Sequence, residues 1–133
     1  MENLKKIYYE ICFNVLCLDL QPFQNIYITG NISELGKWEN KNALELKWWK
    51  GKKYLSEKII LTSNHQFEFD YLIYNTLDKS FLHQKKIKMI NFESLPSNHI
   101  YQINGNFNIP QKFSLSFADE WTQVDVYINS PYI

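Results

Sequence analysis

Apolar and polar residues alternate with a period of two along most of the chain. In residues 66–74 the odd positions are aromatic or aliphatic, while Glu68 and Asp70 stand between them. This alternation is typical of strands that bury one face. Strands are therefore predicted at 7–17, 25–29, 43–49, 54–61, 66–74, 81–84, 86–92, 99–104, 112–117 and 122–129. Many short strands separated by turn residues predict an all-β domain, either a sandwich or a barrel.

The length of 133 residues fits one domain, which we assign to residues 1–133. We find no internal repeat and no helical periodicity of useful length, apart from a turn at 33–36. Residues 109–133 also alternate like strands. This segment either adds to the sheet or begins a connection to another part of a larger protein.

Composition narrows the classes of function. The 14 basic residues, all Lys, balance 14 acidic residues, so the formal net charge is zero. Nucleic acids and anionic membranes attract proteins mainly through basic charge, so we expect neither as a partner. Aromatic residues reach 17% of the chain. Flat rings with polar edges suit sheet cores, and they equally suit binding faces.

Cysteine usage and the N-terminal residues bear on the compartment. The early apolar stretch is interrupted by Glu10, Asn14 and Asp19, which is untypical of a secretory signal. Cys12 and Cys17 lie five residues apart on one predicted strand, so they point to opposite faces and cannot form a disulfide. We therefore expect a cytoplasmic protein.

No catalytic or metal-binding motif is evident. His65, His83 and His99 are far apart, without cysteines or carboxylates at metal-ligand spacing. The chain has only four glycines and no glycine-rich phosphate loop. Carboxylates are plentiful, but their spacing selects no glycosidase pair. We therefore expect a non-enzymatic domain without a cofactor.

Two motifs together are specific. Residues 25–39 read Asn-Ile-Tyr-Ile-Thr-Gly-Asn-Ile-Ser-Glu-Leu-Gly-Lys-Trp-Glu, and residues 67–71 read Phe-Glu-Phe-Asp-Tyr. Their order and interval resemble the starch-binding domain, carbohydrate-binding module family 20, over about residues 7–92. The resemblance implies an immunoglobulin-like antiparallel β-sandwich of about seven to nine strands. It also implies non-catalytic binding of α-1,4-glucan chains, such as starch, amylopectin, glycogen, maltooligosaccharides and cyclodextrin.

The resemblance further implies where a sugar binds. The family stacks glucose on two tryptophans, of which the first corresponds to Trp38, and Phe81 is the best substitute for the second. The family's hydrogen-bonding lysine is replaced by Asp70, which alternation assigns to the outer face of its strand, within reach of sugar hydroxyls. The family has a second aromatic site near the strand beginning at Tyr54, for which Trp49 and Tyr54 are the candidates.

The remaining tryptophans are predicted in the core. Trp48 shares the face of Leu44 and Leu46, and core packing is also the preferred interpretation of Trp121. A platform built on Trp38 would bind glucose units through dispersion and apolar burial, with hydroxyl hydrogen bonds at the rim.

Alternative functions stay open at this point. The departures at Asp70 and Phe81 allow a sandwich whose sugar site has degenerated into a protein-interaction module. The chain also fits a targeting domain taken from a glucan-metabolising enzyme, or linked to one, at the surface of polyglucan granules. A third alternative is a small glucan-active enzyme using surface carboxylates such as Glu34, Glu39 and Asp70.

Overall fold

Residues 9–61, 65–97, 99–118 and 125–126 are described by a computed structural model of the protein. Two 3₁₀ segments lie at Ser33–Trp38 and Asn40–Asn42. The strands of the described residues are β1 (Tyr9–Leu16), β2 (Gln24–Gly30), β3 (Leu44–Lys50), β4 (Lys53–Ser56), β5 (Ile59–Leu61), β6 (Gln66–Asn75), β7 (Ser80–His83), β8 (Lys88–Asn91), β9 (Ile100–Asn106), β10 (Phe113–Phe117) and β11 (Asp125–Val126).

The predicted strand at 54–61 is divided into β4 and β5. Both pair with β1, and the break falls at Glu57 and Lys58. At the break the Oγ of Ser56 accepts a hydrogen bond from the backbone N–H of Phe13, at 2.8 Å, in place of a strand carbonyl. This division, together with β10 and β11, raises the described strand number above the predicted seven to nine. Trp121 and most of the predicted strand 122–129 lie outside the described residues.

The strands form one curled sheet in the order β11-β10-β9-β1-β4-β3-β2-β6-β7, with β5 beside β1 and β8 beside β6. Neighbouring strands are antiparallel except β1 and β9, which run parallel over seven registered pairs. β10 continues the sheet beyond β9, so residues 113–117 add to it. The all-β class is therefore confirmed, with one parallel pair that alternation could not reveal.

The sheet curls until β6 faces β1 and β10, and aromatic rings fill the space between the two layers. The ring of Phe69 lies 5.4 Å from that of Phe13 and 5.7 Å from that of Phe113, measured between centroids, with the planes steeply inclined in both cases. Edge-to-face contacts of this kind add about 0.5–1.5 kcal/mol each to the burial of apolar area. The sandwich core is thus made by the odd-numbered positions of β1 and β6, as alternation predicts.

Candidate functional site

The loop that carries Trp38 is a tight turn with three successive residues in the left-handed region. The φ angles are 81° at Gly36, 49° at Lys37 and 67° at Trp38. Side chains other than glycine rarely adopt this conformation, which costs about 1–3 kcal/mol and persists only where the surroundings enforce it. Here Leu35 is fully buried, and the N–H of Lys37 donates to the carbonyl of Ile32. The turn leaves the side chain of Trp38 on the surface, with 38% of the residue exposed.

The Trp38 loop is fastened to the start of β6. Asn31 makes two hydrogen bonds to Glu68: its backbone N–H donates to the Glu68 carbonyl, and its Oδ1 accepts from the Glu68 N–H. A Cβ atom at Gly30 would overlap the Glu68 carbonyl and the side chain of Leu35. Close backbone approach therefore requires glycine here, and it fixes the loop relative to the strand.

Asp70 does not lie on an open outer face, so that expectation is wrong. The residue is 3% exposed because the segment after β7 folds across this part of β6. Its carboxylate accepts hydrogen bonds from the backbone N–H groups of Tyr71 and Lys85, each at 2.9 Å, and from the Nζ of Lys88 at 3.2 Å. These partners account for the carboxylate oxygens internally, so the geometry gives no support to contact with sugar hydroxyls.

Lys88 is the residue that sequence reasoning missed. It pairs with Phe69 across β8 and β6, and its Nζ lies 4.2 Å from the ring centroid of Tyr71. Burial lowers the pKa of Lys88, and the charge of Asp70 offsets part of that effect. The signal was available, because Lys88 shares the alternation of Ile90 and Phe92, both buried.

Phe81 lies on β7 and is substantially exposed. It is registered opposite Tyr74 of β6, and the two ring centroids are 4.7 Å apart. Among the described residues, the ring partner of Phe81 is therefore Tyr74 and not Trp38. The pair forms a small aromatic surface at the edge of the sheet.

The β3–β4 hairpin separates the two aromatic residues that were predicted to share a second site. Trp48 is registered directly opposite Tyr54, so these side chains share a face. A β-bulge follows, and it sets Trp49 and Lys50 against Lys53. The Nζ of Lys50 accordingly lies 4.3 Å from the ring centroid of Trp49. Trp49 and Tyr54 are not brought together.

Trp48 is 65% exposed, so its predicted place in the core is wrong. Leu46 is the last buried position of β3, and Trp48 stands one step further along the same face, beyond the edge of the core. Its Nε1–H donates to the carbonyl of Gly51 at 2.9 Å. The ring borders an open groove of about 400 Å³, whose other lining residues include Gln24, Asn25, Glu45 and Tyr54.

Within the described ranges there is no group of three or more His, Cys, Asp or Glu side chains placed to hold a metal ion. The helical segments of this part of the chain are too short to span a membrane. What the surface does offer is a set of exposed indole and phenyl rings carried by a loop and two hairpins. Flat rings of this kind on a rigid sheet are suited to stacking against the apolar C–H face of a sugar.

The curled sandwich and its exposed rings are typical of a β-sandwich binding domain. A sequence profile for the starch-binding domain matches residues 8–110. The chain therefore belongs to the starch-binding domain family, carbohydrate-binding module family 20. The predicted resemblance is confirmed, and the match extends past residue 92. No curated protein matches the chain significantly.

Solved structures share the fold at low sequence identity. The family 20 module of a maltotetraose-forming amylase from Pseudomonas saccharophila is 20% identical with a TM-score of 0.56, covering 74% of this chain and 99% of that one. A family 15 glucoamylase from Hypocrea jecorina is 15% identical with a TM-score of 0.64, covering 80% of this chain. A γ-CGTase from alkalophilic Bacillus clarkii is 14% identical with a TM-score of 0.61, covering 79%. The chain spans 18% and 15% of the last two proteins.

Proposed function

We propose that the domain binds α-1,4-glucan chains by stacking a glucose unit on the indole of Trp38. Membership of the starch-binding domain family supports non-catalytic binding of starch-like glucans in general. The observation that supports a stacking role for Trp38 is the turn Gly36–Trp38, whose strained backbone holds the indole in solvent. Strain of this kind is concentrated at functional sites.

Two further aromatic surfaces support contact with a longer chain. Tyr74 and Phe81 form a ring pair in which Phe81 is exposed and Tyr74 half-buried, and Trp48 and Tyr54 border one groove. The Trp48–Tyr54 groove is the better candidate for the family's second aromatic site, since its two rings share a face. Each shallow site would bind weakly, with a Kd of about 10 μM to 1 mM, and a polymer would compensate through many contacts.

Starch, amylopectin, glycogen, maltooligosaccharides and cyclodextrin all present the same α-1,4-linked glucose faces and are the proposed ligands. We also propose that the domain lies in the cytoplasm, on polyglucan granules. The free, buried thiols of Cys12 and Cys17 support a reducing compartment. A targeting role for a linked or associated glucan-metabolising enzyme is supported by the likeness to part of a glucoamylase and part of a CGTase.

The test is a titration with maltoheptaose followed by tryptophan fluorescence and by the indole N–H resonances in NMR. We expect saturable binding, and a Kd weakened about tenfold or more in Trp38→Ala because the stacking surface is lost. Leu77→Ala is the matched control, because Leu77 is an exposed apolar residue in the β6–β7 turn. It should bind like the wild type.

Absence of any binding by a folded wild-type domain would contradict the proposal and favour the protein-interaction alternative. Unchanged affinity in Trp38→Ala would preserve glucan binding as the function but reject Trp38 as its platform. Hydrolysis of maltoheptaose during the titration, detected as new reducing ends, would point instead to the enzymatic alternative.

A further inference from the structure

The outer face of β1, β9 and β10 carries a row of uncharged polar side chains. Asn14 is registered with Asn104, Asn104 with Ser114, and Gln102 with Ser116. Directly paired residues point to the same side of a sheet, so the five side chains lie next to one another across three strands. The opposite face of β1 is the apolar core, which makes this row a feature of the outward surface.

These side chains line a groove of about 380 Å³, with Leu16 and Trp49 among the other lining residues. Two hydrogen bonds order its floor: Gln102 Nε2 donates to Asn104 Oδ1 at 2.8 Å, and Asn104 Nδ2 donates to Ser116 Oγ at 2.9 Å. The polar groups are therefore preoriented on rigid strands, which lowers the ordering cost of binding a ligand.

Asn14 is the informative member of the row. The residue is only 8% exposed, yet its side-chain amide makes no hydrogen bond to any other residue that the structure describes. The Asn14 amide atoms are not among the fully buried, unsatisfied polar atoms of the described residues, so they reach the solvent of the groove. An amide held at the floor of an open groove without a protein partner is a position where a ligand can supply the missing donor and acceptor.

The groove chemistry indicates the class of ligand. Its lining holds amides and hydroxyls, which both donate and accept, together with one lysine and no carboxylate. The hydroxyls of a neutral polyhydroxylated chain can both donate hydrogen bonds to such groups and accept hydrogen bonds from them, whereas an ion cannot do both. Trp49 supplies a flat apolar wall, and the Nζ of Lys50 lies over its ring.

We infer that this Asn14–Trp49 groove is an additional saccharide site that takes an α-glucan chain, separate from both the Trp38 platform and the Trp48–Tyr54 groove. The inference rests on the proposed function for the identity of the sugar. Ser114 and Ser116 belong to β10, which lies beyond residue 110, where the family match ends. The groove therefore includes two residues outside the family match.

The test uses the full chain with Trp38→Ala and Trp48→Ala combined, which removes the other two indole surfaces. Maltoheptaose is titrated while the side-chain amide resonances of Asn14, Gln102 and Asn104 are followed by NMR. We expect these resonances to shift saturably, and adding Trp49→Ala should weaken the Kd about tenfold. Should that variant fail to fold, Ser114→Arg, which fills the groove, replaces it and should abolish the shifts.

The possible failures are distinguishable. If the wild-type Trp38 indole responds to maltoheptaose while the three amides do not, the groove is overturned and the proposed function stands. If neither responds, both are overturned. Amide shifts that are unchanged by Trp49→Ala and by Ser114→Arg would come from elsewhere and would reject the groove. Shifts retained in the Trp38/Trp48 variant and lost on Ser114→Arg establish it.

Discussion

The Nζ of Lys88 lies 3.2 Å from the Oδ1 of Asp70, and both side chains are almost completely withdrawn from solvent. The pair links β8 to β6, next to the segment after β7 that covers the outer face of β6. Asp70 also accepts from backbone N–H groups, while the ammonium rests on the ring of Tyr71. Asp70, a candidate for contact with the sugar, thus instead stabilises the packing of β8 and of the segment after β7 against β6.

Removing one member of this pair should be costly. Lys88→Met keeps the length of the side chain but leaves the carboxylate of Asp70 buried without its cation, and we expect a loss of about 3 kcal/mol in the free energy of unfolding. The double variant Asp70→Asn/Lys88→Met should lose less. Urea unfolding measures both. A single variant as stable as the wild type would contradict the buried pair.

Tyr71 should make the domain sensitive to alkali. Burial, with a smaller contribution from the charge of Asp70, raises the pKa of Tyr71 above its ordinary value of 10.0. Below pH 10 the phenol is protonated in both states; above pH 10 the unfolded chain ionises first, so stability falls as pH rises.

Tyr71→Phe should therefore flatten the decline above pH 10 in a series of urea titrations. It should cost little at neutral pH, because the hydroxyl of Tyr71 has no hydrogen-bond partner among the described residues. A loss of several kcal/mol at pH 7 would show that this hydroxyl is paired after all. An unchanged alkaline slope would assign the effect to another group.

Gly36→Ala should disturb sugar binding through the backbone. Its φ of 81° is unfavourable for alanine, and a Cβ would overlap the backbone of Asn42. We expect a loss of about 1–3 kcal/mol in stability together with weaker maltoheptaose binding, because the Trp38 loop must shift. Gly51→Ala is matched in φ, at 57°, but meets open space. Gly51→Ala should therefore lose less stability and leave the affinity of the Trp38 platform unchanged. Unfolding and maltoheptaose titration of the two variants measure both effects.

Trp48 and Leu46 share a face of β3 but should respond differently to truncation. Leu46→Ala removes a buried side chain and should cost about 2–4 kcal/mol. Trp48→Ala removes an exposed ring and should cost less than about 1 kcal/mol while weakening binding in the Trp48–Tyr54 groove. Equal losses of stability in the two variants would mean that the core extends to the end of the hairpin.

These contrasts show how far period-two alternation reaches. It correctly predicts which side chains share a face, as Phe67, Phe69 and Tyr71 do. It does not state where a core ends, which is why it wrongly places Trp48 inside the core. Nor does it state what covers an outer face, which is why it wrongly places Asp70 in solvent. Both errors concern burial, which depends on the tertiary packing of loops and hairpin ends from distant parts of the sequence.

Strand pairing is equally invisible to the pattern. Nothing in the alternation of residues 99–106 indicates a parallel neighbour, and the polar row over Asn14 exists only because β9 and β10 extend the sheet beside β1. The exposure of Trp38 on a loop could be predicted because its signal is local, in the sequence Leu-Gly-Lys-Trp. The groove could not, since its lining residues come from five strands, β1, β3, β4, β9 and β10, which are separated by up to about a hundred residues.

The bulge after Trp48 gives consecutive tryptophans to two different grooves. A domain with both grooves filled would hold two glucan chains on opposite sides of a single layer of strands. The β3–β4 hairpin, which carries both tryptophans, would lie between them. Such a domain would cross-link neighbouring glucan chains as well as bind to one of them. Long amylose should then become turbid in its presence, and short maltooligosaccharides should not.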